Sequence, residues 1–305
     1  MGDFGLSSNG ATVTVGTFDG VHRAHHAILG ETARRAEAAG RACVVVTFDP
    51  HPVEVVRPDR APLRLTSEVE RRAVMAACGV GHALVLRFDE ALAALPPEQF
   101  VRDILVARCG MRELVIGHDH GFGRGRSGDA DTLRRIGQAD GFEVAVVPQV
   151  EVDGVRVSSS AIRQCLVAGD LAGAASMLGR RYDLMARVGE GAGRGRKLGV
   201  PTINLAGVSA RKQLPPDGVY AVRVEWRGGQ AGGMMNQGPR PTFGEKNRTL
   251  EAHLFGVDAD LYGEWVRLEW VARLREVRQF ASPAELTRQL ERDHAAALAA
   301  LENPA

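Results

Sequence analysis

The chain has 305 residues, of which 45% are hydrophobic and 25% are charged, and these proportions are typical of globular proteins. The formal net charge of +1 gives no reason to expect nucleic acid or a membrane surface as a general partner. No apolar run is long enough to span a bilayer, and the first residues lack the basic and apolar pattern of a secretory signal. The four cysteines are widely spaced and suggest neither a zinc site nor a disulfide framework, so the sequence predicts a cytoplasmic protein.

The first element in the chain is a strand, a turn and a helix. The β-branched residues 13–15 suit a strand, and the alanine-rich residues 24–39 suit a helix. The turn at 16–22 therefore lies at the carboxyl end of a strand, where α/β sheets bind ligands and a helix N-terminus offers N–H groups to phosphate. His22 and His25 are three residues apart and share one helix face. Beside a polyphosphate their pKa should rise, so that both can donate in the charged form.

Strands and helices continue to alternate as far as about residue 183. Apolar runs predict further strands at 42–48, 83–86, 114–117 and 145–147, with helices at 69–78 and 98–107. This alternation predicts an α/β domain of the Rossmann-like kind, with a doubly wound parallel sheet and right-handed crossovers. We expect this first domain to cover residues 1–183.

Three polar segments follow these strands and are candidate binding loops. Asp49-Pro50-His51-Pro52 is a rigid, extended exit from the second strand. The glycine- and arginine-rich residues 118–129 can form an anion-binding loop. Three serines at 158–160 offer an N-cap and phosphate donors, and Arg163 can make a bidentate contact. Each segment also has an ordinary interpretation, as a proline turn, a glycine-rich surface loop or a serine-capped helix.

The character of the sequence changes near residue 184. Glycine and proline become frequent, and short strands are predicted at 219–224, 250–254 and 265–271, which indicates a small antiparallel barrel. A terminal amphipathic helix begins after Ser282, with Leu286, Leu290, Ala297 and Leu301 along one stripe. We expect this second domain to cover residues 184–305.

A basic, glycine-rich loop at 189–199 leads directly into Pro201-Thr202-Ile203-Asn204. On a strand, Thr202 and Asn204 face the same way because the side-chain period is two. A hydroxyl and an amide oxygen on one face can help to hold Mg²⁺, whose other ligands are usually waters and substrate phosphates. The loop lacks the ending of a Walker loop, and the alternative is a basic flap followed by a proline-bounded turn.

Motifs in both halves resemble those of flavin enzymes. Gly-Thr-Phe-Asp-Gly-Val-His-Arg-Ala-His at 16–25 is similar to the His-x-Gly-His signature of nucleotidyltransferases, in the version of bacterial flavin-adenylylating enzymes, with Ala24 in place of glycine. Phe-Asp-Pro-His-Pro at 48–52 and Ser-Ser-Ser-x-x-Arg at 158–163 resemble further segments of those enzymes. Gly-x-Gly-Arg-Gly-x-x-Leu-Gly-x-Pro-Thr-x-Asn at 191–204 resembles the riboflavin kinase signature. The chain thus resembles the bacterial bifunctional riboflavin kinase and FAD synthetase family.

The resemblance implies two ATP-dependent transferase steps. In the second domain the terminal hydroxyl of riboflavin attacks the γ-phosphate of ATP to give FMN, with Glu251 as catalytic base and Thr202 and Asn204 as ligands of Mg²⁺. In the first domain FMN attacks the α-phosphate of ATP, which gives FAD and pyrophosphate, with His22 and His25 as catalytic residues. Riboflavin, FMN and ATP are the expected partners of a monomer or weak homo-oligomer, without nucleic acid or membrane.

The same resemblance assigns the binding residues. ATP and its phosphates are predicted to contact Gly16, Phe18, Asp19, Ser158, Ser159, Arg163, Gly191, Gly193, Arg194, Gly195, Lys197, Pro201, Thr202 and Asn204. The flavin is predicted to contact Asp49, His51, Pro52, Asp119 and Arg275.

Two alternatives to the bifunctional enzyme stay open. One is a riboflavin kinase with weak or lost adenylyltransferase activity, because Ala24, His120 and Gly121 depart from the family pattern. The other is a non-catalytic sensor of flavin or nucleotide. The sensor is disfavoured because Glu251 is present, and binding alone does not need a base.

Overall fold

The computed structural model describes residues 8–119, 121, 128–190, 200–240 and 245–302, with the backbone alone at 240 and 245–247. The chain divides into two units, Met1–Ser159 and Ser160–Ala305, each held together by its own contacts. The predicted boundary between residues 183 and 184 is a different division and stays a prediction.

A five-stranded parallel sheet forms the centre of the first unit. Its strands are β1 (Ala11–Val15), β2 (Ala42–Asp49), β3 (His82–Arg87), β4 (Met111–Gly117) and β5 (Glu143–Val147). They are arranged in the order β3-β2-β1-β4-β5, and every neighbouring pair is parallel. The central strand is buried on both faces, since even Thr12 and Thr14 are at most 1% exposed. The predicted Rossmann-like sheet is confirmed.

Helices connect the strands of this sheet. They are α1 (Arg23–Ala38), α2 (Pro52–Val56), α3 (Glu68–Ala77), α4 (Glu90–Ala94), α5 (Pro97–Phe100) and α6 (Ala130–Asp140). The single helix predicted at 98–107 is instead the short α5 continued by a π-helical segment, Val101–Val106. A small hairpin of β6 (Glu151–Val152) and β7 (Val155–Arg156) follows β5 and was not predicted.

The second unit contains a closed antiparallel barrel, as predicted. After α7 (Ser159–Ala168) and α8 (Leu171–Leu178) come β8 (Asp183–Gly189), β9 (Ile203–Ala206), β10 (Gly218–Trp226), β11 (Gly229–Arg240), β12 (Glu245–Leu254) and β13 (Trp265–Arg275). Within the described residues the barrel order is β10-β11-β12-β9-β8-β13. The chain then ends in α9 (Pro283–Glu302).

Helix α9 packs against the outer face of the barrel. Ala297 is fully buried there against Ala221 of β10 and Met234 of β11, and Leu290 lies at the edge of the same cluster. Apolar burial of this kind is the main source of helix stability in proteins, because isolated helices are marginal in water. Across residues 8–119, 128–190, 200–240 and 245–302, no helix is long and apolar enough to cross a membrane.

Candidate active sites

The turn between β1 and α1 has an unusual backbone conformation. Phe18 and Val21 have φ angles of 49° and 38°. Residues other than glycine rarely adopt positive φ angles, because the Cβ clashes with the backbone. Each such residue costs on the order of 1–3 kcal/mol. The strain is offset by burial, because both side chains are at most 1% exposed. Their cluster also contains Leu29, Val45 and Met75. A Cβ on Gly16 would lie 3.1 Å from the Phe18 ring, closer than an ordinary van der Waals contact, so glycine at this position lets the ring pack tightly.

The Asp19 carboxylate ties this turn to the segment before α3. It is 3% exposed and accepts hydrogen bonds from the backbone N–H of Leu65, at 2.9 Å, and of Thr66, at 3.0 Å. The Thr66 hydroxyl donates to Asp19 at 3.2 Å and accepts from the Gly20 N–H at 3.0 Å. The Ser159 hydroxyl donates to the Asp19 carbonyl at 2.9 Å. Asp19 and Ser159 thus organise the turn, and their contact with nucleotide stays a prediction.

Arg71 of α3 is a buried cation at the carboxyl edge of the sheet that sequence reasoning missed. It is 4% exposed, and its two terminal nitrogens donate to the carbonyls of Thr17, at 3.2 Å, and Phe48, at 3.3 Å. In the described chain its Nε is buried without a hydrogen-bond partner. Burial lowers the pKa of the Arg71 guanidinium, and the carboxylates of Asp19 and Asp49 partly offset this. Arg71 therefore joins the turn after β1 to the carboxyl end of β2.

The structure brings His22 and His25 together. Their rings stack with centroids 3.6 Å apart and planes 14° from parallel, and the Phe18 ring meets His25 edge-on at 5.1 Å. His22 caps α1, since its Nδ1 accepts a 3.4 Å hydrogen bond from the backbone N–H of His25. Burial lowers the pKa of the His25 imidazole well below 6.5, and His22 and His26 lower it further. His25 is therefore neutral at pH 7 before an anion binds.

The predicted flavin residues after β2 already have protein partners. Asp49 forms a 3.0 Å ion pair with Arg64. The ring of His51 caps α2, with Nδ1 accepting from the Val53 N–H at 3.2 Å, and Pro52 is the first residue of that helix. These contacts hold the backbone where it leaves β2, but the extended exit predicted from the two prolines is short, because helix α2 begins at Pro52. Contact of these residues with flavin stays a prediction.

Other predicted residues of the first site are less completely placed. Asp119, two residues after the end of β4, is paired with Arg156 of β7. His120 and residues 122–127 lie outside the described part of the chain. Ser158 comes just before α7, and Arg163 lies on that helix within the second unit. The joint action of Arg163 with the two histidines stays a prediction.

In the barrel, strand register aligns the residues predicted for the kinase site. One lateral row runs through Gly189, Asn204, Glu251, Asn236, Val219 and Arg275, each directly opposite the next on a neighbouring strand. Residues directly opposite one another lie on the same face of a sheet. Glu251 is half-buried between Leu250 and Ala252, which are 7% and 0% exposed. The row therefore lies on the outer face of the barrel.

The segment before β9 is held against β12. The ring Nδ1 of His253, two residues after Glu251, lies 2.7 Å from the Pro201 carbonyl and so donates to it. This bond places Thr202, which precedes Asn204 by two residues, beside the strand of Glu251. Thr202 and Asn204 are both half-buried. The glycine-rich loop with Gly191, Gly193, Arg194, Gly195 and Lys197 lies outside the described residues.

The oxygen atoms of Thr202 and Asn204 fit a Mg²⁺ ion that is also bound by substrate phosphates. Within the described ranges no group of three or more His, Cys, Asp or Glu side chains could hold a metal ion. Thr202 and Asn204 supply neutral oxygens, and Mg²⁺ commonly takes its remaining ligands from water and phosphate. These two residues therefore suit a metal that arrives with a nucleotide.

Arg275 has a structural partner. Its guanidinium forms an ion pair with Asp293 of α9, with nitrogen-to-oxygen distances of 2.6 Å and 2.9 Å, and the Asp293 side chain is 4% exposed. The pair fastens α9 to the end of β13. The predicted contact of Arg275 with flavin stays a prediction.

Comparison with known proteins identifies the family. Residues 6–161 match the FAD synthetase family, and residues 178–301 match the riboflavin kinase family. The chain is 39% identical over 286 residues to the bifunctional riboflavin kinase/FMN adenylyltransferase of Escherichia coli K12, covering 93% of this chain and 90% of that protein. The Pseudomonas fluorescens protein of the same name is 40% identical over 292 residues, covering 95% and 93%. The chain belongs to this bifunctional family.

A solved structure has the same architecture as this chain. It is described as a macrolide-efflux protein from Streptococcus pneumoniae, and it matches with a TM-score of 0.84 and 30% identity over 96% of this chain and 95% of that chain. The description concerns that protein alone, so the likeness bears on the fold. Together with the family matches it confirms the predicted fold class.

We expect Arg71→Met to slow the adenylylation of FMN by roughly ten- to a hundredfold, because small displacements of a positioned site cost that much. The measurement is FAD formation from FMN and ATP, with circular dichroism and thermal unfolding of the same sample as the check on folding. Arg72→Met is the matched control, because the Arg72 side chain is 67% exposed and forms an ion pair with Glu68 at 3.5 Å on the same helix. Unchanged adenylylation by Arg71→Met would show that the guanidinium does not position the site.

Proposed function

We propose that this protein makes FAD from riboflavin in two ATP-dependent steps, at separate sites in the domains 184–305 and 1–183. The two family matches and the relatives named for both activities support both steps. The observation that carries the kinase assignment is the direct register pairing of Glu251 with Asn204. This pairing supports the proposal that Glu251 acts as a carboxylate base next to Asn204, an oxygen ligand suited to a nucleotide-bound metal.

In the kinase step the terminal hydroxyl of riboflavin attacks the γ-phosphate of ATP. Glu251 accepts the proton from that hydroxyl as the new P–O bond forms, and ADP leaves. Thr202 and Asn204 would hold Mg²⁺, which neutralises charge on the phosphates when bound. Pro201 orients the metal-binding segment through its carbonyl, which accepts the bond from His253. The basic loop with Gly191, Gly193, Arg194, Gly195 and Lys197 is proposed to cover the phosphates.

In the adenylyltransferase step a phosphate oxygen of FMN attacks the α-phosphorus of ATP, and pyrophosphate leaves. His22 and His25 stabilise the charge that develops on the triphosphate, and the free N–H groups at the start of α1 add to this. Backbone groups of Gly16 and Phe18 line the same turn. Ser158, Ser159 and Arg163 are proposed to close the site. The step needs no covalent intermediate with the protein.

The flavin groups are proposed to lie at the ends of strands. FMN would meet Asp49, His51, Pro52 and Asp119 beyond β2 and β4. Riboflavin would lie toward Arg275 at the far end of the barrel row. We place both reactions in the cytoplasm and expect a monomer or a weak homo-oligomer.

A riboflavin kinase without adenylyltransferase activity is the main alternative, because of Ala24, His120 and Gly121. Incubation of the purified protein with FMN, ATP and Mg²⁺ decides between the two. FAD formation supports the bifunctional enzyme, and its absence at every enzyme concentration would leave only the kinase.

We expect Glu251→Gln to lower FMN formation from riboflavin by roughly 10²–10⁴-fold, the usual contribution of a general base. Formation of FAD from supplied FMN should continue, because the two sites are separate. Glu225→Gln, an exposed glutamate on β10, is the matched control and should leave both rates unchanged. Near-normal FMN formation by Glu251→Gln would remove this residue from the mechanism.

We expect ATP to raise the pKa of His25. In the free protein burial and the neighbouring imidazoles hold this pKa well below 6.5. A bound triphosphate favours the charged imidazolium, so the ring takes up a proton as the complex forms, and ATP binding at this site strengthens as the pH falls. NMR titration of the His25 ring, assigned with His25→Gln, should show its midpoint move upward when a non-hydrolysable ATP analogue is added. A midpoint that stays in place or falls would contradict direct contact with phosphate.

A further inference from the structure

Asn236 of β11 lies directly opposite Glu251 in the barrel. The pairs on either side are Met235 with Ala252 and Gln237 with Leu250, so the register here is continuous. Directly opposite residues have Cβ atoms about 4.5–5.5 Å apart and share one face of the sheet. The amide of Asn236 and the carboxylate of the proposed base therefore occupy the same part of the outer surface.

The side chain of Asn236 is available, in contrast to its neighbour. Gln237 is fully buried and its amide is fully used, with donation to the carbonyls of Pro215 and Pro216 at 2.7 Å and 3.0 Å and acceptance from Trp270 at 3.2 Å. Asn236 is half-buried, and among the described residues its amide makes no hydrogen bond. One strand thus carries a structural amide and, one residue before it, an amide open to a ligand.

The order of the row indicates which substrate reaches Asn236. Gly189 and Asn204 lie on one side of Glu251, and Asn236 lies on the other. In the proposed kinase, ATP and its metal occupy the side of Gly189 and Asn204. In phosphoryl transfer the attacking and leaving oxygens are roughly in line, on opposite sides of phosphorus. The carbon chain that bears the attacking hydroxyl must therefore leave Glu251 on the side of Asn236.

We propose that the Asn236 amide binds one of the two secondary hydroxyls nearest the reacting end of riboflavin, at the 3′ or 4′ position of the ribityl chain. The inference rests on the proposed kinase function of the barrel. A primary amide has two donors and one carbonyl acceptor, and a hydroxyl can both donate and accept, so the two groups match. The bond holds the polyol while Glu251 receives the proton of its terminal hydroxyl.

The first test compares Asn236→Ala with Gln230→Ala, an exposed amide on the same strand outside the row. We expect Asn236→Ala to lower kcat/KM for riboflavin by about three- to tenfold, the range for one neutral hydrogen bond. The KM for ATP and FAD formation from FMN should not change, and Gln230→Ala should behave as the unmodified protein. An unchanged kcat/KM for riboflavin in Asn236→Ala would overturn the proposal.

Deoxy analogues separate a binding role from a structural one. With 4′-deoxyriboflavin or 3′-deoxyriboflavin, the unmodified protein should lose a similar factor in kcat/KM for the hydroxyl that Asn236 binds. Asn236→Ala should lose nothing further with that analogue, because the bond is already absent. If, for both analogues, the loss from the missing hydroxyl and the loss from Asn236→Ala multiply, the proposal is overturned. Asn236→Ser replaces Asn236→Ala if the alanine variant does not fold, as judged by circular dichroism and thermal unfolding.

This outcome is distinct from failure of the kinase assignment. If the unmodified protein forms no FMN from riboflavin, the function proposed for the barrel is wrong. If it forms FMN and Asn236→Ala shows multiplying losses, only the role of Asn236 is wrong.

Discussion

Strand register in the barrel is the constraint on which the kinase site depends. Because side chains alternate between the two faces of a strand, a slip of one residue in β12 would turn Glu251 into the interior and Ala252 outward. Met235 and Ala252 form a fully buried pair inside the barrel, which opposes such a slip. The slip would bring the Glu251 carboxylate into this apolar interior, where an unpaired charge is very costly. Apolar packing inside the barrel therefore determines which polar groups meet outside it.

The turn proposed for the adenylyltransferase site is positioned by buried polar groups instead. Asp19 and Arg71 are each at most 4% exposed, and each holds backbone segments from different parts of the first unit together. A buried charge is costly unless it is paired and hydrogen-bonded, so these two groups favour one arrangement of the turn. The strained conformation of Phe18 and Val21 persists because this surrounding structure holds it. The turn therefore determines the position of the stacked rings of His22 and His25.

Local sequence patterns were enough for much of this arrangement. Hydrophobic periodicity predicted the parallel sheet and the barrel, and spacing predicted that His22 and His25 share a face. Thr202 lies one residue before β9, so the predicted common strand face of Thr202 and Asn204 stays a prediction. Arg71 escaped notice because it lies among polar residues of α3 and only tertiary packing buries it. The ion pair of Arg275 with Asp293 and the opposition of Asn236 and Glu251 depend on contacts distant in sequence, which no local pattern specifies. Sequence alone therefore does not specify the tertiary contacts that position the predicted site residues.

The most direct test of this account is a crystal structure of the protein with riboflavin, ADP and Mg²⁺. We predict that the metal lies against the oxygens of Thr202 and Asn204, with Glu251 within hydrogen-bond distance of the terminal hydroxyl of riboflavin. The ribityl chain should leave that hydroxyl on the side of Asn236. A flavin on the Gly189 side of Glu251, or a Glu251 side chain turned into the barrel, would contradict the account.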